Sequence, residues 1–491
     1  MWMFVIAIVI LLCYLVYVDI RKPKDYPKGP RWYPIIGNYT QVSKELEKQG
    51  YHHKVWMEFA NEYGNMIGLK MGTMLLVVVN GVDLVREVLT RDEFSGRPDG
   101  FFFRLRTFGK QIGLVFSEGS FWEKQRKFTV FHLRDLGLGR QKMEALIQEE
   151  THDLMEVLKQ ESAKGPVEIK NAFDISVLNT LWAMTAGKRY NLNDERLNYL
   201  ARLVHDSFTK VDPSGGLLNQ MPLLRFLAPN LCGYNLVSTL VNKITHFISE
   251  SINEHVDTFD ADSPRDLIDM FIKKMHSKSE TFTEEQLISL CMDLFMAGSE
   301  TTSNTLSFAV LYLAEYTDVQ RKMQSELNDV LGSRTPTLRD KINLPYTNAV
   351  LCEIQRMSNV APVGVPHKTT CNVTLADCVI PKGTIMLANL FSVHMDEKFW
   401  GDPHNFRPER FLNAEGQLEI PDKHFMPFGV GKRRCMGELL AKANYFLVIT
   451  TLLQNFHIEK NPDDPELNLS GRDGFTLSPA STKLILSARY L

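Results

Sequence analysis

Near the C-terminal end of the chain, the stretch Phe428-Gly429-Val430-Gly431-Lys432-Arg433-Arg434-Cys435-Met436-Gly437 sets one thiol among cations, directly ahead of an apolar run of helical spacing, Leu439 to Phe456. A thiolate is a strong metal ligand, and cationic neighbours and a helix N-terminus both depress a thiol's pKa enough to keep it ionised. Gly431 and Gly437 suit a loop whose backbone closely approaches a flat ligand, and Phe428 can lie beside the sulfur. A second cluster, Ala297-Gly298-Ser299-Glu300-Thr301-Thr302, interrupts a long apolar segment running from Thr283 to about Tyr316. Polar groups and a glycine inside a buried helix cost stability and call for a reason. Glu300 can carry a proton, and the Thr301 hydroxyl can bond back to a carbonyl or reach a ligand. Trp122 and Arg126 stand four apart on a helical segment, so an indole N–H and a guanidinium fork can converge on one anion, or simply form a surface cation–π pair. Glu353 and Arg356 lie one turn apart and can pair; alone, such a pair is usually solvated and contributes under about 1 kcal/mol.

The pattern Phe-x-x-Gly-x-Arg-x-Cys-x-Gly fixes five positions, which gives a chance match in this chain odds of roughly 10⁻⁴. It resembles the haem-binding loop of the cytochrome P450 superfamily, in which the cysteine is the axial thiolate of the haem iron. The resemblance covers nearly the whole chain and implies a mainly α, haem-thiolate fold with small β-sheets. It implies haem b as cofactor, with Cys435 as metal ligand and Phe428 beside it. Trp122 and Arg126 then meet the haem propionates, assisted by Arg97, His367 and Arg433. Glu300 and Thr301 match the family's acid–alcohol pair, which delivers protons during dioxygen activation. Phe406-Arg407-Pro408-Glu409-Arg410-Phe411 matches the segment that sends Arg410 to the Glu353–Arg356 pair, a buried lock holding the loop before Cys435. Val360 to Pro366 should pass over the haem and line the pocket, and Gly474-Phe475-Thr476-Leu477 resembles the hairpin tip that closes it.

These parts need a large body. The chain has 491 residues, 44% hydrophobic and 23% charged, without repeats or a long flexible linker, which favours one large catalytic domain over residues 38–491. A net charge of -3 argues against nucleic acid as a partner. Seven cysteines without metal-finger spacing suggest neither a disulfide framework nor zinc, and a reducing compartment. Residues 2–18 carry no charge or proline and read as a membrane anchor of roughly 26 Å. A cleaved signal peptide is the rival, but its basic leader and small-residue cleavage site are not evident. Residues 19–37 form a basic, Pro-rich hinge, and its Arg21, Lys22, Lys24, Lys28 and Arg31 leave the body on the cytoplasmic side; the resemblance to microsomal members implies the endoplasmic reticulum membrane.

Between anchor and thiol, Tyr51–Gly64 predicts an amphipathic helix and Met66–Val79 a β-hairpin. The aromatic loop from Asp92 to Ser117 is a pocket lid or a set of core anchors. Residues 141–256 are mostly helical, with turns at 164–166, 212–216 and 228–230, and Leu217–Leu227 is an apolar patch bordering an access channel or plain core. The resemblance implies a monooxygenase that inserts one atom of O2 into a lipophilic substrate, with electrons from NADPH through NADPH-cytochrome P450 reductase. Lys124, Lys127, Arg134 and Lys442 are candidates for docking that partner. A haem-thiolate isomerase or dehydratase and a non-catalytic haem protein are the competing classes, and Glu300 with Thr301 speaks against the first. Arg31-Trp32-Tyr33-Pro34 and Gly96-Arg97-Pro98-Asp99-Gly100-Phe101 look most like insect microsomal members, one branch of which epoxidises methyl farnesoate to juvenile hormone. An ecdysteroid or xenobiotic hydroxylase is the alternative.

Overall fold

A computed structural model describes residues 2–210, 216–277 and 280–489, so all but the last residue of the expected turn at 212–216 lies outside the described residues. The fold is mainly helical, with three small sheets among the described residues. The principal elements are α1 (Trp2–Ile20), β1 (Met66–Met71), β2 (Met74–Val79), α2 (Gly119–Asp135), α3 (Asp174–Ala186), α4 (Glu195–Lys210), α5 (Glu284–Glu315), α6 (Pro345–Ser358), β3 (His367–Lys368), β4 (Ile385–Ala388) and α7 (Glu438–Asn455). The expected helix, here His52–Tyr63, and the hairpin β1–β2 both form.

The spine is α5. Thr283 caps it, its side chain accepting from Gln286 N (3.2 Å), and Glu284 and Glu285 complement the positive end of the helix dipole. At 32 residues it spans roughly 48 Å, and because it is apolar on nearly every side it is buried almost throughout. Helices α3 and α7 pack along it and form with it the large core. The other main body is the four-stranded sheet in the order β1–β2–β4–β3, with β2 and β4 parallel and the other pairs antiparallel.

The N-terminal helix α1 continues through Asp19 and Ile20, two residues beyond the expected anchor, and is long and apolar enough to cross a membrane with none of it buried. The Pro-rich stretch behind it is not a free connector. Lys28 O accepts from Gly68 N (2.7 Å), Lys70 O from Asn38 N (2.7 Å), and Asp25 O from Val379 N (2.9 Å). A side chain at Gly29 would meet Gly68 O at 2.2 Å, and Tyr26 and Trp32 are buried against the sheet. Lys70 of β1, itself buried, pairs with Asp19, whose carboxylate also accepts from Ile35 N (2.7 Å).

In the aromatic loop, Phe94, Phe103 and Phe116 are buried and Phe101–Leu105 forms a short helix. These three serve as anchors, while Phe101 and Phe102 are half-buried and Phe108 is exposed; none of the loop's phenylalanines lines the main cavity, whereas Arg97, Leu114 and Val115 do. The segment 217–227 is not plain core, because Leu223, Phe226 and Leu227 are exposed.

Candidate active site

One cavity of about 360 Å³ runs between α5, α2, the loop before α7, β3 and the segment Val360–Val365. Cys435 is on its wall. The Cys435 N–H donates to Phe428 O (3.0 Å) and closes the loop, while Gly437 and Glu438 offer the backbone N–H groups of the α7 start to the sulfur. The exposed surface of Cys435 faces the cavity, and protein encloses it beyond that. Burial therefore pushes its thiol pKa up, with the Gly437 and Glu438 amides and Arg126 pulling the other way.

The expected cationic neighbours mostly do other work. Lys432 pairs with Glu123 (2.7 Å), Arg434 with Glu438 (2.6 Å), and Arg433 reaches Ser95 O (3.0 Å) and Ser117 O (2.9 Å). Gly431 is required for a different reason from the expected one: at φ 75°, a side chain there would strike Leu89 O at 2.2 Å. Gly298 likewise makes room for Leu181 of α3, whose Cδ2 would lie 2.3 Å from an added Cβ.

Arg97, Arg126 and Arg433 share one side of the cavity with Trp122, His367 and Phe428. The Arg433 guanidinium stacks on Trp122 at 3.7 Å, and that of Arg126 lies 5.5 Å from the same ring. Arg97 is buried, and its side chain donates to the carbonyls of Val115 (3.1 Å), Val365 (3.1 Å) and Pro366 (2.8 Å). Among the described residues no carboxylate pairs with any of these three guanidinium groups. Burial and the mutual repulsion of the arginines drive Arg97 well below the usual guanidinium range, and burial pushes Arg433 down to about 10. His367 Nδ1 bonds to Phe94 O (2.8 Å); burial first, then Arg97, lowers its pKa well below the ordinary value. Three uncompensated guanidiniums facing a cavity form a receptor for a polyanion.

On the opposite side, Asp293, Ala297 and Thr301 follow one another at four-residue spacing on the cavity face of α5. The Thr301 hydroxyl donates to Ala297 O (2.8 Å). Glu300 does not face the cavity. It turns away between helices and accepts from Asn304 Nδ2 (2.9 Å), with His205 Nδ1 at 3.1 Å. Val177, Leu181, Leu294, Val360, Ala361 and Val363 make the rest of this side apolar. The tip Gly474–Leu477 does not itself line the cavity; Leu477 N donates to Val360 O (2.8 Å) and Phe475 N to Phe208 O (2.7 Å), bracing the wall from behind.

Two buried devices hold this arrangement. Glu353 and Arg356 form a two-pronged ion pair (2.7 and 2.8 Å), both fully buried, and Arg410 Nε donates to Glu353 at 3.0 Å. Arg356 also donates to His394 O (2.8 Å), and His394 Nε2 accepts from Met426 N (3.1 Å), which ties the lock to the loop leading into Cys435. Burial, then the Arg356 charge, pushes His394 down to about 3, so it stays a neutral acceptor. The second device is Asp293, which accepts from Leu114 N (2.6 Å) and Val115 N (2.8 Å) and pairs with Arg106. Asp293→Asn should destabilise the protein by about 2–4 kcal/mol in denaturant unfolding, since an amide cannot accept from both N–H groups and still neutralise Arg106. A loss under about 0.5 kcal/mol would show that the loop does not depend on it. Neither His394 nor Asp293 belongs to a motif; each lies far in sequence from the groups it holds.

The residues present fit a haem: a sulfur at a helix N-terminus, small residues on the facing helix, and guanidiniums that lack only carboxylates. Comparison with known proteins agrees. The sequence model of the family described as Cytochrome P450 matches residues 27–486. A Bombyx mori protein named Farnesoate epoxidase is 40% identical over 486 residues, covering 98% of this chain and 98% of its own length. Cytochrome P450 2J3 of Rattus norvegicus is 37% identical over 474 residues (94% of this chain, 91% of that one), and Cytochrome P450 2J2 of Homo sapiens 36% over 472 (94% and 91%).

Proposed function

The chain belongs to the cytochrome P450 family, and from that premise we propose that it epoxidises a neutral sesquiterpenoid ester, methyl farnesoate. It is a haem-thiolate monooxygenase. When bound, the haem would supply the redox centre that turns O2, two electrons from a redox partner and two protons into water and one transferable oxygen atom.

Cys435 is the proposed iron ligand, and Arg97, Trp122, Arg126, His367 and Arg433 receive the propionates. Thr301 holds a proton donor at the cavity face. The apolar side chains around it exclude water and lay an isoprenoid chain along α5. Electrons come from NADPH through a cytochrome P450 reductase that docks where Lys124, Lys127 and Arg134 are exposed and, among the described residues, make no ion pair. Helix α1 anchors the protein in the endoplasmic reticulum membrane, with the body on the cytoplasmic side.

The observation that carries the ester reading is charge. Arg97, Arg126 and Arg433 all stand on the side of the cavity assigned to the propionates and Arg434 is held by Glu438, so no cation lining the described cavity stands on the apolar α5 side to pair a substrate carboxylate. The farnesoate skeleton takes its support from the name of the Bombyx mori relative. Purified protein titrated with methyl farnesoate should give a substrate-binding shift of its haem spectrum at least about tenfold tighter than with farnesoic acid, because an unpaired buried carboxylate costs well over 1 kcal/mol. With reductase and NADPH the product should be the epoxide. Tighter binding of the acid would overturn the ester reading, and no shift with either would remove the sesquiterpenoid one.

A further inference from the structure

Glu118 directly precedes α2, and Trp122 and Arg126 follow it at four-residue spacing. The residue that opens a helix is usually Ser, Thr, Asp or Asn, whose short side chain accepts from the first free N–H groups. Glu118 takes that place, but both of its carboxylate oxygens are turned elsewhere. One accepts from Arg97 N (2.8 Å), and the other pairs with Lys368 Nζ (3.0 Å) on β3, beside His367. Gly96 leaves room for this, since an added Cβ there would lie 3.1 Å from Glu118 Oε2 and 2.7 Å from Lys368 O.

The segments that Glu118 joins also seat two of the guanidiniums facing the cavity. Arg433 donates to Ser95 O and Ser117 O, the carbonyls next to Gly96 and Glu118, so its fork bridges the two segments that the carboxylate fastens. Lys368 N donates to Gly96 O (2.9 Å) and completes the closure. Burial first, then the charges of Arg433 and Arg126, works against the Arg97 cation, and Glu118 supplies the charge that favours it. An ion pair as exposed as Glu118–Lys368, with side chains 31% and 19% accessible, contributes little to stability by itself. Its effect falls on the groups it holds.

We propose that Glu118 is a positioning residue for the haem: it fastens the segments that seat Arg97 and Arg433 and sets a negative charge beside them, at the edge that receives the propionates. Three guanidiniums share that edge against two propionates, and Glu118 offsets the excess positive charge. Through that charge it also holds the haem in its oxidised form, because reduction adds an electron that a nearby carboxylate repels. This inference rests on the assignment of the arginine side of the cavity to the propionates.

Two properties of the purified holoprotein test this without turnover. Glu118→Gln keeps an oxygen for Arg97 N and removes the charge. Haem transfer to excess apomyoglobin should then run about three- to tenfold faster, and at a fixed applied potential the ferrous-to-ferric ratio should rise about two- to fivefold. Lys368→Met takes a positive charge from the same spot and should shift that ratio the other way. A role in packing alone would loosen the haem in both variants without moving the ratio in opposite directions. Equal ratios in all three proteins, or a shift of one sign in both variants, overturns the proposal, and so does an unchanged rate of haem transfer in Glu118→Gln. If Glu118→Gln does not fold, Lys368→Met still decides, since a ratio that rises or stays overturns it. Arg97→Ala separates this claim from its premise: haem transfer no faster than from the unmodified protein would strike the propionate assignment itself, and the role of Glu118 with it.

Discussion

Cys435→Ser should abolish monooxygenation, by about 10³-fold or more, and eliminate the far-red-shifted Soret band of the reduced, CO-bound protein. The substitution changes one atom. Serine preserves the N–H bond to Phe428 O, so melting should shift little. What it removes is a soft, anionic ligand, because an alcohol is not deprotonated under conditions where a metal-bound thiol is. The surroundings sharpen this. Burial pushes the thiol pKa up, and Lys432 and Arg434 are committed to carboxylates, so the loop alone does little to ionise the sulfur. The α7 amides and the metal's own charge have to do it. A serine variant that kept the red-shifted band would remove Cys435 from the site.

The second large effect falls on residues that never touch the cofactor. Arg356→Ala should destabilise the protein by about 3–5 kcal/mol in denaturant unfolding and lower haem retention in parallel. Truncation leaves Glu353 fully buried with only Arg410 and the Arg407 N–H against it, and strips His394 O and Pro403 O of a donor. Since His394 also holds Met426 N, slack in the lock passes straight to the loop before Cys435. Arg356→Lys should rescue little, because one ammonium cannot make the paired contacts of a guanidinium fork. Full haem content with wild-type unfolding in Arg356→Ala would mean that the triad does not brace the loop.

Local chemistry made much of this legible. The Thr283 cap with two glutamates behind it marks the start of α5 to the residue, and the Leu-, Val- and Met-rich run Met66–Val79, bounded by Gly and Asn, marks a hairpin. The Cys435 loop, and Glu353 with Arg356 and Arg410, are readable because a short spacing or a family motif carries them. What stayed hidden depends on partners brought together by tertiary packing. The helical period puts Glu300 and Thr301 on different faces of α5, yet only the positions of α3 and α4 reveal that Glu300 meets His205 rather than the cavity. Gly298 has no evident reason until Leu181 is found against it, and Gly431 reads as space for a flat ligand until Leu89 is found there. The aromatic loop could not be sorted into lid or core by composition, since both bury phenylalanine. His394 and Asp293 carry no local signature, because their partners are carbonyls and amides that any residue type supplies.

The pairing of Asp19 with Lys70 makes a lever of the N-terminal region. Leu69, beside Lys70 on β1, lies in one cross-strand row with Leu76, Ile385 and Lys368, the neighbour of His367. A sheet resists shear within its plane, so a tilt imposed on α1 cannot be absorbed by the proline-rich segment, which is itself hydrogen-bonded to the sheet edge. The first helix and the strand that carries His367 are therefore tied into one hydrogen-bonded frame.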